Sequence, residues 1–133
     1  MIFVSTNEKA LALAKRLSDE EHLKVGVARG ADEFSIRQGV YDKMRAGEIK
    51  VVVATDVAAR GLNFDNLKVV INYEFASPRP GEEQDGAFMF LHRLHRAGRF
   101  GRKGLTVSLV LPSESAMMMA RITGRFSMMM MIV

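Results

Sequence analysis

Val51-Val52-Val53-Ala54 is the tightest constraint in this sequence. In an extended chain successive side chains point to opposite faces, so four apolar residues in a row leave neither face fit for water. Such a strand is hidden only in a sheet covered by helices on both sides, which is the habit of parallel sheets. The neighbouring segments offer the helices. Ala10, Leu13, Ala14 and Leu17 recur at helical spacing after the short apolar run Ile2-Phe3-Val4. Ile36, Val40 and Met44 do the same after a strand expected over Lys24–Ala28. Ser5, Thr6 and Asn7 are all good caps for the first helix, and Glu8, three residues after Ser5, fits a capping box. Gly30 and Asp32 fit a turn and a cap for the second, which Ala46-Gly47 ends. Further strands are expected at Lys68–Tyr73, Thr106–Leu111 and Met128–Val133, with helices from Phe88 towards Arg96 and from Pro112-Ser113 to about Arg125. The expected fold class is therefore α/β, a three-layer α/β/α sandwich around a mostly parallel central sheet.

A chain of 133 residues is one domain and can bury a real core. Its 48 % apolar and 26 % charged residues read as globular, not disordered. Cysteine is absent, which excludes a disulfide framework and thiol chemistry. No stretch approaches the roughly eighteen apolar residues of a membrane span, and no basic-then-apolar leader opens the chain, so no membrane association or secretion is expected. Seven of the ten methionines fall between Met117 and Met131. They read as adaptable core filler, with a Met-rich interaction groove as the alternative. Residues 75–87 break the rhythm with two prolines and two glycines, and read as a long exposed loop.

The net charge of +4 is concentrated. Residues 1–91 are net −2, whereas residues 92–133 are net +6, and five of the seven basic residues there lie between Arg93 and Lys103. A phosphate-bearing partner is the first expectation.

Two clusters carry chemistry. Thr55-Asp56-Val57-Ala58-Ala59-Arg60-Gly61-Leu62-Asn63 follows the buried strand, at the end where open parallel sheets bind ligands. It offers a hydroxyl, a carboxylate, a guanidinium and a glycine that permits close backbone approach. A plain strand-end turn capped by Thr55 or Asp56 explains it equally well. The second cluster is His92-Arg93-Leu94-His95-Arg96-Ala97-Gly98-Arg99, continuing to Gly104. Arg93, Arg96 and Arg99 stand three apart, near one face of a helix, where like charges repel unless an anion neutralises them. The arginine fork suits phosphate oxygens, although a solvated basic helix end is the bland alternative. His92 and His95 lack companions for a transition-metal site, and no metal ligand is expected from this chain. There is no GxxxxGK[ST] loop to cradle a triphosphate. An arginine-rich phosphate site without its cradle looks like half a site, with the nucleotide and magnesium on another domain.

These residues carry a resemblance. Thr55–Asn63 resembles motif V, and His92–Arg99 motif VI, of DEAD-box RNA helicases. Ile2–Thr6 resembles their motif IV. Arg29-Gly30 and Arg37, ahead of Met44-Arg45-Ala46-Gly47, stand at the places of the family's His-Gly and Gln-x-x-Arg motifs. The resemblance runs from residue 1 to about residue 110 and implies the second, C-terminal RecA-like domain, starting inside motif IV and so trimmed at its front edge. It implies that Arg96 and Arg99 reach the ATP phosphates, with Arg99 the arginine finger and Gly61 and Asn63 beside the nucleotide. His92 and Arg93 link that site to the first domain and to motif V, and Asp56 belongs to the coupling network. Arg37, Thr55, Gly30, Thr6 and Asn7 meet the RNA backbone without reading sequence. ATP and Mg2+ are expected only with the first RecA-like domain, so the chain by itself should not turn over ATP.

The expected partners are RNA, that first domain and a protein activator, the protein being monomeric. The 75–87 insertion and the Gly98–Gly104 ending are similar to those of the subfamily that remodels messenger ribonucleoprotein at the nuclear pore, which implies a cytoplasmic or nuclear location near the pore. A stand-alone RNA- or phosphate-binding module and a protein-interaction domain are the competing readings. Four positions depart from the family pattern: His95 for Gly, Asn63 for Asp, Phe34 for Gln and Arg29 for His.

Overall fold

The computed structural model of the chain describes residues 1–59, 67–74, 90, 92–93, 96–97, 104–110 and 129–132. In chain order the elements are β1 (Ile2–Val4), α1 (Asn7–Glu21), β2 (Val25–Ala28), α2 (Phe34–Arg45), β3 (Val51–Thr55), α3 (Asp56–Ala59), β4 (Val69–Asn72), β5 (Leu105–Val110) and β6 (Met129–Ile132). The six strands form one sheet in the order β2-β3-β1-β4-β5-β6. Every pairing is parallel, so the described sheet is more uniform than the mostly parallel one expected.

The winding explains the layers. From β1 the chain passes through α1 to β2, two places away, and returns through α2 to β3. Right-handed crossovers running in opposite directions put their helices on opposite faces. Two core clusters follow. On the α2 side, Phe3, Val52 and Ala54 pack with Tyr41, Ala58 and Val70. On the α1 side, Val4 and Val53 pack with Ala10 and Ala14. Consecutive residues of β3 thus serve opposite cores, as the run Val51–Ala54 demanded. Phe3, Val4, Val52 and Val53 are each at most 1 % exposed, a burial of about 1.5–3 kcal/mol for each such side chain. Helix α2 and the segment that follows it lie so close on β2 that a β-carbon at Gly26 would stand 2.7 Å from Val40 Cγ1 and 2.5 Å from Ile49 Cδ1.

The capping at the starts of α1 and α2 and one position of the core stripe refine or depart from expectation. Thr6, not Ser5, caps α1: its Oγ1 accepts from the Lys9 N–H at 3.3 Å, while the Ser5 hydroxyl turns to Glu74. Glu33 is the N-cap of α2 and makes no side-chain cap bond. Asp32 is drawn away from capping by Arg29, whose N–H (2.7 Å) and guanidinium (2.6 Å) both donate to its carboxylate. Ile36, expected in the core stripe, is 54 % exposed. It sits in the first turn of α2, before the helix settles on the sheet through Val40, Tyr41 and Met44. The loop 75–87, the helix expected over residues 112–125 and its methionines at 117–119 lie outside the described residues.

Candidate functional site

Because the strands run parallel, the carboxyl ends of β1, β2, β3 and β4 share one edge. Ser5-Thr6-Asn7, Arg29-Gly30, Thr55-Asp56 and Tyr73-Glu74 leave the sheet there, where open α/β sheets bind ligands.

One group sits beyond β2 and β3. Thr55 is 5 % exposed, and its Oγ1 accepts from the Gly30 N–H at 2.9 Å. Arg37 reaches back from α2, donating through Nη1 to the Asp32 carbonyl oxygen at 2.8 Å and more loosely to that of Gly30 at 3.5 Å. Its Nε is buried without a partner. Gly30 must be small: a β-carbon there would stand 2.9 Å from Val57 Cβ, which its own backbone fixes. The structure thus gathers Arg37, Thr55 and Gly30 into one turn. Thr6 is exposed and Asn7 half-buried at the start of α1, on the same edge.

A second group centres on Arg93, 2 % exposed. Its Nε and Nη2 donate to the two oxygens of Asp56 at 2.5 and 2.6 Å. Nη1 donates to the Glu74 carbonyl oxygen at 2.9 Å and, at 3.5 Å, to Asn72 Oδ1. The guanidinium also stands over the Phe3 ring, 5.3 Å from its centre. One side chain therefore ties the ends of β1, β3 and β4 to the helical turn of residues 92 and 93. Three arginines spaced by three need a counter-anion, and for Arg93 that anion is Asp56 inside the domain. The Nε and Nη2 donors of Arg93 are thus both taken up by Asp56, with little exposure of either side chain.

His92 is exposed and Arg96 half-buried. The Arg96 N–H donates to the Arg93 carbonyl oxygen at 3.1 Å. Burial pushes the Tyr41 phenol up to about 12, against the weaker opposing pull of Arg37 and Arg96. The phenol donates to the Ala58 carbonyl oxygen at 3.1 Å. Arg99, Gly61, Asn63 and His95 lie outside the described residues. Among the described residues no group of three or more His, Asp or Glu could hold a metal ion.

Sequence reasoning passed over Glu74, Lys9 and Asn72. The Glu74 carboxylate accepts from the Ser5 N–H at 3.1 Å and from the Ser5 hydroxyl, and pairs with Lys9 Nζ at 2.5 Å. Asn72 is fully buried and donates to Ser108 Oγ at 2.9 Å. A polar residue closing an apolar strand was the available cue, and Asn72 and Glu74 both give it.

Two carboxyls of this edge are held below their ordinary range. Burial opposes ionisation of Glu74, but the hydrogen bonds from Lys9 and Ser5 outweigh it. Burial likewise opposes ionisation of Asp32, and the Arg29 side chain and N–H outweigh it. A carboxyl depressed in the fold binds its proton more readily when unfolded. Its contribution to stability is therefore complete above the ordinary carboxylate pKa of about 4 and is lost as pH falls through the lower folded value. The melting temperature is expected to fall below about pH 4, and Glu74→Gln and Asp32→Asn should each flatten that acid limb. An unchanged limb in both variants would refute the assignment.

Comparison with known proteins agrees with this geometry. Residues 1–104 match the helicase conserved C-terminal domain. The chain is 41 % identical over 110 residues to ATP-dependent RNA helicase dbp-5 of Neurospora crassa, covering 83 % of this chain and 23 % of that protein. It therefore spans about a quarter of the length of the curated relatives it matches. Among solved structures, the C-terminal domain of the DEAD-box protein Dbp5 superposes with a TM-score of 0.81 at 30 % identity, over 97 % of this chain and 72 % of that one. A variant of S. cerevisiae Dbp5 matches in two complexes. Bound to RNA and ADP BeF3, it gives a TM-score of 0.80 at 30 % identity, over 98 % of this chain and 34 % of that one. Bound to nup159, gle1, IP6 and ADP, it gives 0.78 at 27 %, over 99 % and 34 %. With more than three-quarters of its residues inside the match, the chain belongs to the helicase conserved C-terminal domain family and carries the RecA-like fold of the DEAD-box members.

Proposed function

We propose that this chain is the second RecA-like half of an ATP-dependent RNA helicase or ribonucleoprotein-remodelling enzyme. The observation that carries the reading is the division of one sheet edge into two polar groups joined by a buried pair. Thr55, Gly30 and Arg37 form one group, and His92, Arg93 and Arg96 the other. Asp56, directly after Thr55, holds Arg93 between them. An edge so arranged serves a phosphate chain on each side and transmits between them.

On the RNA side, Arg37 and the Gly30 turn meet the sugar-phosphate backbone, with Thr6 and Asn7 extending the track and Thr55 holding the turn in shape. Contacts of this kind position a strand without reading its bases. On the nucleotide side the fit is partial. Arg96, half-buried after the 92–93 turn, would supply one guanidinium and Arg99 another, but the described residues contain no glycine-rich phosphate cradle. Arg96 and Arg99 would hold the phosphates of an ATP bound to the first RecA-like domain, with Gly61 and Asn63 beside it. Mg2+ would be held by that domain and the nucleotide, and would neutralise phosphate charge there. His92, exposed beside Arg93, would face the first domain. The nup159 and gle1 complex of the yeast relative supports a place at the nuclear pore and a protein activator. Monomeric action, one pair of RecA-like domains per molecule, completes the proposal.

The test is made in the longer protein that contains this domain. RNA is expected to stimulate its ATPase, and its RNA affinity to fall steeply with salt. Arg37→Ala should weaken binding about equally for unrelated RNA sequences and lower the salt slope by about one. Loss of affinity for only some sequences, or an unchanged slope, would refute the backbone-contact role. An ATPase indifferent to RNA would refute the helicase reading as a whole.

A further inference from the structure

Glu74 belongs to neither polar group, yet it meets Arg93 of one and the β1–α1 turn on the edge shared with the other. Its carbonyl oxygen accepts from Arg93 Nη1 at 2.9 Å. Its carboxylate holds the turn where β1 becomes α1, through the Ser5 N–H at 3.1 Å, the Ser5 hydroxyl and Lys9 Nζ at 2.5 Å. That turn carries Thr6 and Asn7. Lys9 Nζ also lies 3.4 Å from Ser5 Oγ, and its side chain is 53 % exposed against 24 % for Glu74. The ammonium therefore covers the carboxylate on the solvent side.

A carboxylate on an edge meant for phosphates is a liability, because like charges repel. Here it is tolerable because Lys9 masks it. A phosphate strand laid along Thr6 and Asn7 competes with Glu74 for the same ammonium. Whatever the strand takes from Glu74 at its side chain is felt one residue's width away, at the carbonyl that anchors Arg93, and through Arg93 at Asp56. Such a link is a short run of hydrogen bonds and ion pairs whose balance both sites can bias, which is the physical content of coupling.

We propose that Glu74 is a positioning residue that couples occupancy of the RNA-facing turn to the Arg93–Asp56 pair, with Lys9 as the ammonium exchanged between Glu74 and an RNA phosphate. The proposal rests on the RNA helicase reading above, and names a coupling residue for it.

The experiment measures ATP turnover of the longer protein with and without a saturating homopolymeric RNA. The readout is the ratio of the two rates. Glu74→Gln keeps the carbonyl that Arg93 needs and an acceptor for Ser5, but gives up the charge that holds Lys9. It is expected to lower the ratio at least fivefold with the KM for ATP unchanged. Lys9→Ala uncovers the carboxylate and should weaken RNA binding, while the double variant Lys9→Ala/Glu74→Gln should recover part of that loss. A ratio lowered less than fivefold in Glu74→Gln, or stimulated and unstimulated rates falling in step, overturns the coupling role. If Glu74→Gln does not fold, the Lys9→Ala variant decides: equal binding losses in the presence and absence of bound nucleotide overturn the proposal, and unequal losses support it. If the unsubstituted protein shows no stimulation by RNA, it is the helicase reading that fails.

Discussion

Replacing Arg93 with methionine is expected to cost the fold roughly 3–5 kcal/mol, the range for breaking one partner out of a buried ion pair. Arg93 is 2 % exposed, and the side chain of Asp56 only 14 %. Removing the guanidinium strands a carboxylate, the Glu74 carbonyl oxygen and Asn72 Oδ1 in surroundings with little water. Total stability of a domain this size is about 5–15 kcal/mol, so the loss is a large share of it. Lysine is no substitute, since a point charge cannot meet both Asp56 oxygens and the Glu74 carbonyl at once. Removing both charges should be milder than the sum of the parts. Arg93→Met with Asp56→Leu leaves no buried charge without a partner, and the pair is expected to show strong non-additivity. Urea unfolding of the 133-residue chain and its variants measures this directly. A cost below about 1 kcal/mol for Arg93→Met, the level of an exposed ion pair, would show that the guanidinium does not staple the strand ends. In the longer protein the same substitution should abolish ATP turnover.

The architecture was legible because it follows from periodicity, and periodicity is local. Val51–Ala54 could only be a doubly covered strand, and its residues do alternate between the Tyr41 side and the Ala10–Ala14 side. What local pattern could not give was side-chain choice among competing partners. Asp32 and Ser5 are both sound caps by type, yet Arg29 and Glu74 offered them charged partners across a turn or a sheet edge, and charge-assisted bonds win over a neutral cap. The same blindness covered the site. Thr55, Gly30 and Arg37 stand up to 25 residues apart in sequence and were joined only by resemblance; the Gly30-to-Thr55 bond is what brings them together in space. Arg93 shows the limit most clearly. Its spacing from Arg96 and Arg99 placed it in a phosphate-facing trio, but spacing on a helix cannot tell which arginine turns inward. That is decided by Asp56, 37 residues earlier.

Because Arg93 is paired with Asp56, the proposed function leaves Arg96 and Arg99 to meet the transition-state charge on ATP, and this sets the second large expectation. Arg99→Ala in the longer protein is expected to lower turnover about a thousandfold or more, the scale on which an arginine finger acts. Arg96→Ala should lower it strongly too, and in a distinguishable way. The Arg96 N–H bonds the Arg93 carbonyl oxygen at 3.1 Å and its neighbour Ala97 packs on the core, so the backbone there stays in place without the side chain. The loss is then chiefly one of phosphate contact: turnover reduced far more than stability in urea. A finger that acts only on developing charge leaves ground-state binding alone, so Arg99→Ala should reduce kcat with little change in KM for ATP, whereas a group that also grips the bound phosphates shifts both. Lysine at position 99 should restore little, because a point charge lacks the planar fork that spans two phosphate oxygens. Near-normal turnover in Arg99→Ala would remove it from the nucleotide site. Equal losses of stability and activity in Arg96→Ala would instead make Arg96 a second structural arginine like Arg93, leaving a single guanidinium to meet the phosphates.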